Sequence, residues 1–218
     1  MLITPVHKPR ASSRYQHISQ TSDDTNGSSF SFTDRDLSGA GDGPVIVSVL
    51  GNGGSAGAIA TLTVAGQSPA SSIQANNGTN QFGIFLVPLS AGVSTGTIAV
   101  GFAASKNRCA IGWGRARNLR STSIIDSDST EAGNGDTAIS TTIDVEPGGF
   151  TLAVVLGNVA SGTWTWSEPG KLFDFIVEST TAFSGFSAID RGKALSRTVT
   201  ATPSASFVAR NILAASFR

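Results

Sequence analysis

The chain has 218 residues, a formal net charge of zero, 14% charged residues, 25 Gly and a single Cys. That length suits one large all-β domain, the lone thiol excludes an internal disulfide, and the charge balance argues against a general nucleic-acid binder or a polyacid. No apolar run approaches the length of about 18 residues that a membrane-spanning helix needs, and the N-terminus lacks the apolar stretch of a secretory signal.

Residues 1–29 differ from the rest. They hold both histidines (His7, His17), the only tyrosine (Tyr15) and the basic residues Lys8, Arg10 and Arg14, followed by a polar Thr/Ser/Asp/Asn/Gly run. Such a segment buries little apolar surface. It is expected to be an extended arm that docks on another subunit, with Lys8, Arg10, Arg14 and Tyr15 as partner-binding side chains.

Residues 30–218 are expected to form a β-sandwich. Its first strand is SSFSFTD, where Phe30 and Phe32 share one face. The run LSGAGDGP is a turn region, since glycines there tolerate positive φ. PVIVSVLGNGGSAGAIATLTV follows, rich in Val, Ile and Thr and punctuated by Gly and Asn, and reads as a β-hairpin. Gly66–Asn80 is a loop or short edge strand with a tight turn at Asn77-Gly78. Strands are then expected at Phe82–Leu89, Thr97–Phe102 and Arg108–Trp113. Ile124–Asp136 is an acidic, Gly-rich connector between halves spanning 30–122 and 137–218. In the second half Ile139, Thr141, Ile143 and Val145 share a face, Pro147-Gly148-Gly149 turns the chain, and FTLAVVLGNVASGTWTW reads as a second hairpin. A turn at Glu168–Gly170 leads to a strand with Phe173, Phe175 and Val177 on one face. VARNILAASFR closes the chain as a strand paired within a sheet.

The letters VLGN occur at Val49–Asn52 and again at Val155–Asn158. Downstream, QFGIFLVPLS answers to AFSGFSAIDRG, and Gly96–Asn118 answers to Arg197–Phe217, at offsets of roughly 100 residues. Two copies at so long a period indicate an internally duplicated sandwich, not a solenoid. The fold expected is an all-β, antiparallel, jelly-roll-like sandwich of about eight or nine strands.

The search for chemistry finds little. A hydrolytic triad needs a histidine beside a nucleophile, and both histidines lie in the arm, far in sequence from Cys109. Paired glycosidase carboxylates would have to come from Asp144, Glu146, Glu168, Asp174 and Glu178, which read as solvent-facing strand residues. Asp126, Asp128 and Thr130 begin like a calcium loop, but the glycine at position six and the terminal glutamate are missing. No phosphate loop, dinucleotide fingerprint or zinc spacing is present, so no catalytic residue, metal or cofactor is expected. Trp164 and Trp166 flank Thr165 on one strand face. Exposed, with Trp113, they would make a sugar-stacking platform; a sandwich this poor in large residues needs them inside, so the core reading is the stronger. Arg115 and Arg117 in GWGRARNLR could meet an acidic partner or nucleic acid, but a solvated or intersubunit salt-bridge role is the stronger reading.

The segments FSFTDRDLSGAGDGPVIVSVLGN, LTVAGQSPA, FGIFLVPLSAGVSTGTIAVGF with RCAIGWGRARN, and TTIDVEPGGFTLAVVLGN followed by TWTW resemble small β-sandwich virion proteins of tailed bacteriophages and prophages, particularly of alphaproteobacteria. The resemblance covers residues 28 to 218 and leaves out the arm. It implies a structural role, as a head-decoration or spike protein or a tail-fibre or tail-tip module, and brings no catalytic residues with it. The expectation is a non-enzymatic virion component, made in the host cytoplasm, docked on tail or capsid subunits by its arm, with the tail slightly favoured. It would form a homo-oligomer, a trimer being the simplest, with no membrane span and no specific nucleic acid. The alternative is a carbohydrate-binding adhesion module that takes a host-surface glycan on Trp164, Trp166 or Trp113.

Overall fold

The computed structural model describes residues 11–39, 43–133, 136–158, 162–177, 181–190, 195–206 and 208–218. These residues form antiparallel strands joined by turns and loops. In the first half lie β1 (Arg14–Asp23), β2 (Gly27–Asp36), β3 (Val45–Asn52), β4 (Ile59–Val64), β5 (Ser71–Asn77), β6 (Asn80–Val87), β7 (Thr95–Lys106) and β8 (Arg108–Arg117). In the second lie β9 (Asp126–Ala132), β10 (Ile139–Val145), β11 (Phe150–Asn158), β12 (Trp164–Trp166), β13 (Lys171–Val177), β14 (Thr181–Ile189), β15 (Leu195–Pro203) and β16 (Val208–Phe217).

The two halves repeat one topology. The first builds a five-stranded sheet in the order β1-β8-β3-β6-β5 and a three-stranded sheet β2-β7-β4. The second builds β9-β16-β11-β14-β13 and β10-β15-β12, the same orders shifted by eight strands. The register repeats as well. Gly51 lies opposite Gln81 and Cys109, and Gly157 lies opposite Ala182 and Arg210. Most successive strands change sheet, so each half winds back and forth between its two sheets as a β-sandwich. The single sandwich of eight or nine strands expected from the sequence is therefore two eight-stranded units.

Three apolar cores lie between four layers of sheet. Val45, Val47 and Val49 of β3 pack with Phe30, Phe32, Leu62 and Ile98 inside the first unit. Ala153 and Val155 of β11 pack with Ile139, Ile143, Trp164 and Val199 inside the second. The alternate residues of those central strands, Ile46 and Leu50 with Leu152, Val154 and Leu156, meet in a middle core, joined by Phe82, Ile84, Phe150 and Phe183. The five-stranded sheets are thus covered on both faces, which is why β3 and β6 are buried at every residue and read as continuous apolar runs. The three-stranded sheets are covered on one face only. β10 accordingly alternates strictly, with Ile139, Thr141, Ile143 and Val145 inside.

Across the middle core β1 lies against β13, and β5 lies against β16 and β9. An eight-strand shift exchanges these two sets of edges, so the units meet through equivalent faces, as in an isologous dimer held within one chain. Phe173 marks how closely they approach. A Cβ added at Gly112 of β8 or Gly185 of β14 would fall 2.6 or 2.3 Å from its ring, so its ring fills the space left by two missing side chains, one from each unit.

Three sequence expectations change. The arm is not a separate element beyond residue 13: β1 pairs with β8 and β2 with β7. The connector contains β9, which pairs with β16. Both misread pieces are the same strand of their respective units, and both lie at a sheet edge. An edge strand is held by ladder bonds on one side and half-faces solvent, so it needs no apolar alternation. The third change concerns the VLGN segments, which are arches and not hairpins. β3 and β4 belong to opposite sheets, and the connector between them carries Gly53 and Gly54 at φ of 63° and 68°, conformations a chain crossing between layers can use at little cost with glycine.

The middle core should be the most sensitive part of the molecule. Phe82→Ala, at a fully buried site, is expected to lower unfolding free energy by about 3–5 kcal/mol. Ser31→Lys, on the exposed outer face of β2, should stay within about 0.5 kcal/mol. Urea titration of both variants checks this; equal losses would contradict the layered arrangement.

Candidate functional site

The polar groups buried in the fold gather where the apolar strands run out. At one end of the middle core the tight turn between β5 and β6, with Gly78 at φ 59°, places Asn77 and Asn80 beside the end of β3. Asn52, the last letter of the first VLGN, donates from Nδ2 to Asn80 Oδ1 (3.2 Å) and to Thr181 Oγ1 of the second unit. Asn77 Nδ2 donates to the Arg210 carbonyl (3.3 Å), and Asn211 Nδ2 donates to the Asn76 carbonyl (3.0 Å). The bonds to Thr181, to the Arg210 carbonyl and to the Asn76 carbonyl cross between the units, and Asn52, Asn77, Asn80, Thr181, Arg210 and Asn211 are all buried. Directional bonds among desolvated groups fix the register of two faces that apolar contact alone would let slide.

Several cations are buried with carbonyl groups as acceptors. Lys106, which has no exposed surface, donates from Nζ to Ser55 O and Thr79 O, both at 2.7 Å, and lies 5.7 Å from the Phe102 ring centroid. Burial lowers its pKa. Arg115 donates from Nε to Leu37 O and from Nη2 to Val93 O, both at 2.6 Å, and from Nη1 to Gly43 O. Trp113, two residues earlier, donates from its indole N–H to Asp36 O at 2.8 Å. The GWGR stretch therefore clamps the chain on both sides of residues 40–42. Its closeness explains the glycines of that stretch: a Cβ at Gly43 would fall 1.7 Å from Ala116 O, and one at Gly39 2.4 Å from Arg115 Cγ.

The structure distributes the expected binding residues differently from the sequence reading. Trp113, Trp164 and Trp166 are 2%, 1% and 7% exposed, so they form no stacking platform. Trp166 stacks on Phe186 and donates to Ser184 Oγ at 3.0 Å. Arg115 is internal, its guanidinium held by the Leu37, Gly43 and Val93 carbonyls. Tyr15 packs into the middle core with its ring 6.3 Å from that of Phe150, and burial raises its pKa far above the usual tyrosine value. Arg14, exposed, and Arg117, half-buried, lie directly opposite each other on β1 and β8. Lys8 and Arg10 lie outside the described residues. What the sequence reading missed is the bonding of the asparagines around that turn and the buried Lys106 and Arg210. The signal was present, since VLGN ends in the asparagine that anchors the cluster.

No arrangement for acid–base or nucleophilic work emerges among the described residues. The Cys109 thiol is buried, and burial, with the Asp23 carboxylate as a lesser cause, raises its pKa well above the usual value. His17 bonds Gln20 Oε1 at 2.8 Å against the Phe173 ring, and burial lowers its pKa. Glu146, Glu168 and Asp174 pair with Arg218, Arg197 and Lys171; Glu178 lies outside the described residues. Asp126 and Asp128 accept bonds from Asp144 N (2.6 Å) and Thr141 Oγ1 (2.7 Å), tying β9 to β10. No group of three or more His, Cys, Asp or Glu is placed to hold a metal among the described residues. None of the described elements is a helix long and apolar enough to cross a membrane. The outer face of β2-β7-β4 carries a shallow groove of about 220 Å³ bordered by Ser29, Ser31, Thr61, Thr63, Ala99 and Gly101. No protein-family model, curated protein or solved structure matches this chain.

Two outcomes follow from the buried cations. Arg115→Met leaves three carbonyl groups without their donor and should cost about 3–5 kcal/mol. Arg115→Lys should recover only part of this, because an ammonium cannot reproduce the planar fork. Chemical denaturation of the two variants measures both. For Lys106 the sign follows from linkage. Its folded pKa lies below that of the unfolded chain, so between the two values the unfolded chain binds more protons and stability rises with pH. The neutral amine keeps two N–H donors for its two carbonyls. Unfolding free energy should therefore rise more steeply from pH 8 to pH 10.5 in the wild-type protein than in Lys106→Met; parallel curves would refute it.

Proposed function

We propose that this chain is a non-enzymatic structural subunit of a tailed-phage virion, docked on a neighbouring tail or capsid protein through its N-terminal region. The observation that carries the reading is how the buried polar groups are used: Lys106, Arg115, Asn52 and Asn77 hold backbone and side-chain partners within the fold, and none converges on a reactive centre. The resemblance of residues 28–218 to phage β-sandwich proteins gives the assignment its direction. The outer face of β10-β15-β12 supports it too. Ser140 bonds Thr200 and Thr142 bonds Thr198 across that sheet, so the surface offers short uncharged hydroxyls that a neighbouring subunit can cover at little desolvation cost. The opposed Arg14 and Arg117 at the β1 edge repel each other and favour an acidic neighbour. The adhesion reading loses its carriers with the burial of the three tryptophans.

The test is incorporation into particles. Removing residues 1–10 should leave a folded protein, since Ser13 N is the group that bonds Gly148 O, and should abolish incorporation. Removing residues 1–29 deletes β1 and uncovers the free edge of β8, and that version should aggregate. If the protein lacking residues 1–10 incorporates as well as the full chain, the docking role of that segment is refuted. If the full chain does not join particles at all, the virion reading fails.

A further inference from the structure

We propose that His17 makes the contact between β1 and the second unit pH-sensitive: the contact closes on the neutral imidazole and opens when the ring gains its second proton. The His17 ring lies 5.4 Å from that of Phe173 on β13, with the two planes 35° apart. Phe173 is the side chain that fills the space left at Gly112 and Gly185, so the imidazole packs on the ring that keys the two units together. Its Nε2 bonds Gln20 Oε1 at 2.8 Å, whereas Nδ1 is buried and meets no partner. An amide oxygen only accepts, so Nε2 carries the proton and Nδ1 holds the lone pair. β1 is also an edge strand, with β8 on one side, and its pairing slips between His17 and Ser19. The ladder is interrupted where the imidazole sits.

Protonation would place a second N–H at Nδ1, where nothing accepts it, and among the described residues no carboxylate faces the ring. β8 sets Gly114 opposite His17. Of its arginines, Arg115 is held by the Leu37, Gly43 and Val93 carbonyls, Arg108 bonds Asn52 Oδ1 at 3.3 Å, and Arg117 lies opposite Arg14. On β13 Lys171 and Asp174 pair with each other and turn to the Trp164 backbone of β12. β11 has no charged residue. Asp34, Arg35 and Asp36 of β2 belong to the other sheet of the first unit, and Asp23 ends β1 opposite Cys109. An imidazolium would gain some attraction from the Phe173 ring face, but a buried charged donor without an acceptor is the costlier change. Lifting β1 off Phe173 lets water reach Nδ1 and removes that cost. Residues 1–10 continue from this strand, so under the docking role proposed above acid would also weaken attachment.

The test is hydrogen exchange on the isolated full chain at pH 7 and pH 5, corrected for the intrinsic pH dependence of exchange, so its outcome is separate from that of incorporation into particles. The chain has two histidines, His7 and His17, and no other side chain of ordinary pKa titrates in that window. Burial lowers the folded pKa of His17, so the stability it lends the contact is fully present above the unfolded value of about 6.5 and is lost as pH falls. In the opened strand the ring titrates near about 6.5, which limits the rise in opening at pH 5 to about 30-fold. Amides of β1 should lose protection within that limit, while those of β11 and β16 keep theirs. His7→Gln should retain the loss and His17→Gln should abolish it. If His17→Gln is already open at pH 7, NMR titration of the wild-type His17 ring decides the matter, with a midpoint below about 6.5 expected. Protection of β1 that does not change with pH, a loss that survives in His17→Gln or vanishes in His7→Gln, or a His17 ring that titrates at or above its ordinary value would each overturn the proposal.

Discussion

The contact between the two five-stranded sheets governs the rest of the molecule. Each unit alone would present Ile46, Leu50, Phe82, Ile84 and Leu86, or their counterparts Leu152, Val154, Leu156 and Phe183, to water. Side chains of this size contribute about 1.5–3 kcal/mol each when buried, so a unit that kept such a face exposed would have little net stability left. The consequence runs back into composition. A strand covered on both faces cannot alternate apolar with polar, and charge is driven to edges, turns and the outer faces of the stack. The low charged fraction is therefore a property of the layering itself and needs no neighbouring subunit to explain it.

That constraint also separates what was legible in the sequence from what was not. Strands with one dry face were read correctly: Phe30 with Phe32, and Ile139, Thr141, Ile143 and Val145, fall on the inner side. The turn at Asn77-Gly78 and the repeat at VLGN were legible because turn chemistry and repetition are local. The partner of each sheet was not. An eight-residue apolar run such as Val45–Asn52 looks the same whether its second face meets solvent poorly or another sheet well. A Gly-rich connector likewise does not reveal whether the chain folds back beside itself or crosses to the opposite layer. The polar strands β1 and β9 were missed for the complementary reason, since a ladder supplies their stability through backbone groups that leave no trace in side-chain pattern.

The candidate site was less legible than the fold. Asparagine at the end of a strand reads as turn punctuation, and Asn52 does end β3, yet its amide also reaches Thr181, which lies 129 positions away. Arg115 looked like a surface cation because it sits among Arg117 and Arg120. In the fold its side chain turns to the carbonyls of Leu37, Gly43 and Val93, while that of the next residue, Ala116, turns into the middle core. Spacing placed Arg115 on a strand but could not say which of its faces was dry.

An internal pseudo-dimer raises the question of what keeps its halves from adopting another register. Apolar faces are tolerant of sliding, because most of their energy depends on area and not on direction. The polar cluster at the end of the middle core has the opposite character. Displacing one sheet by a residue would separate Asn52 from Thr181 and Asn211 from the Asn76 carbonyl, leaving several buried groups without partners at about 1–3 kcal/mol each. At the other end, Arg120 N and Ser121 N both bond the carbonyl of Arg218, and Ser13 N bonds Gly148 O. The middle core is thus bracketed by directional contacts between the units, and the glycines that receive Phe173 fix the separation between them. Affinity between the halves comes from area, and their alignment comes from the few polar groups placed at its limits.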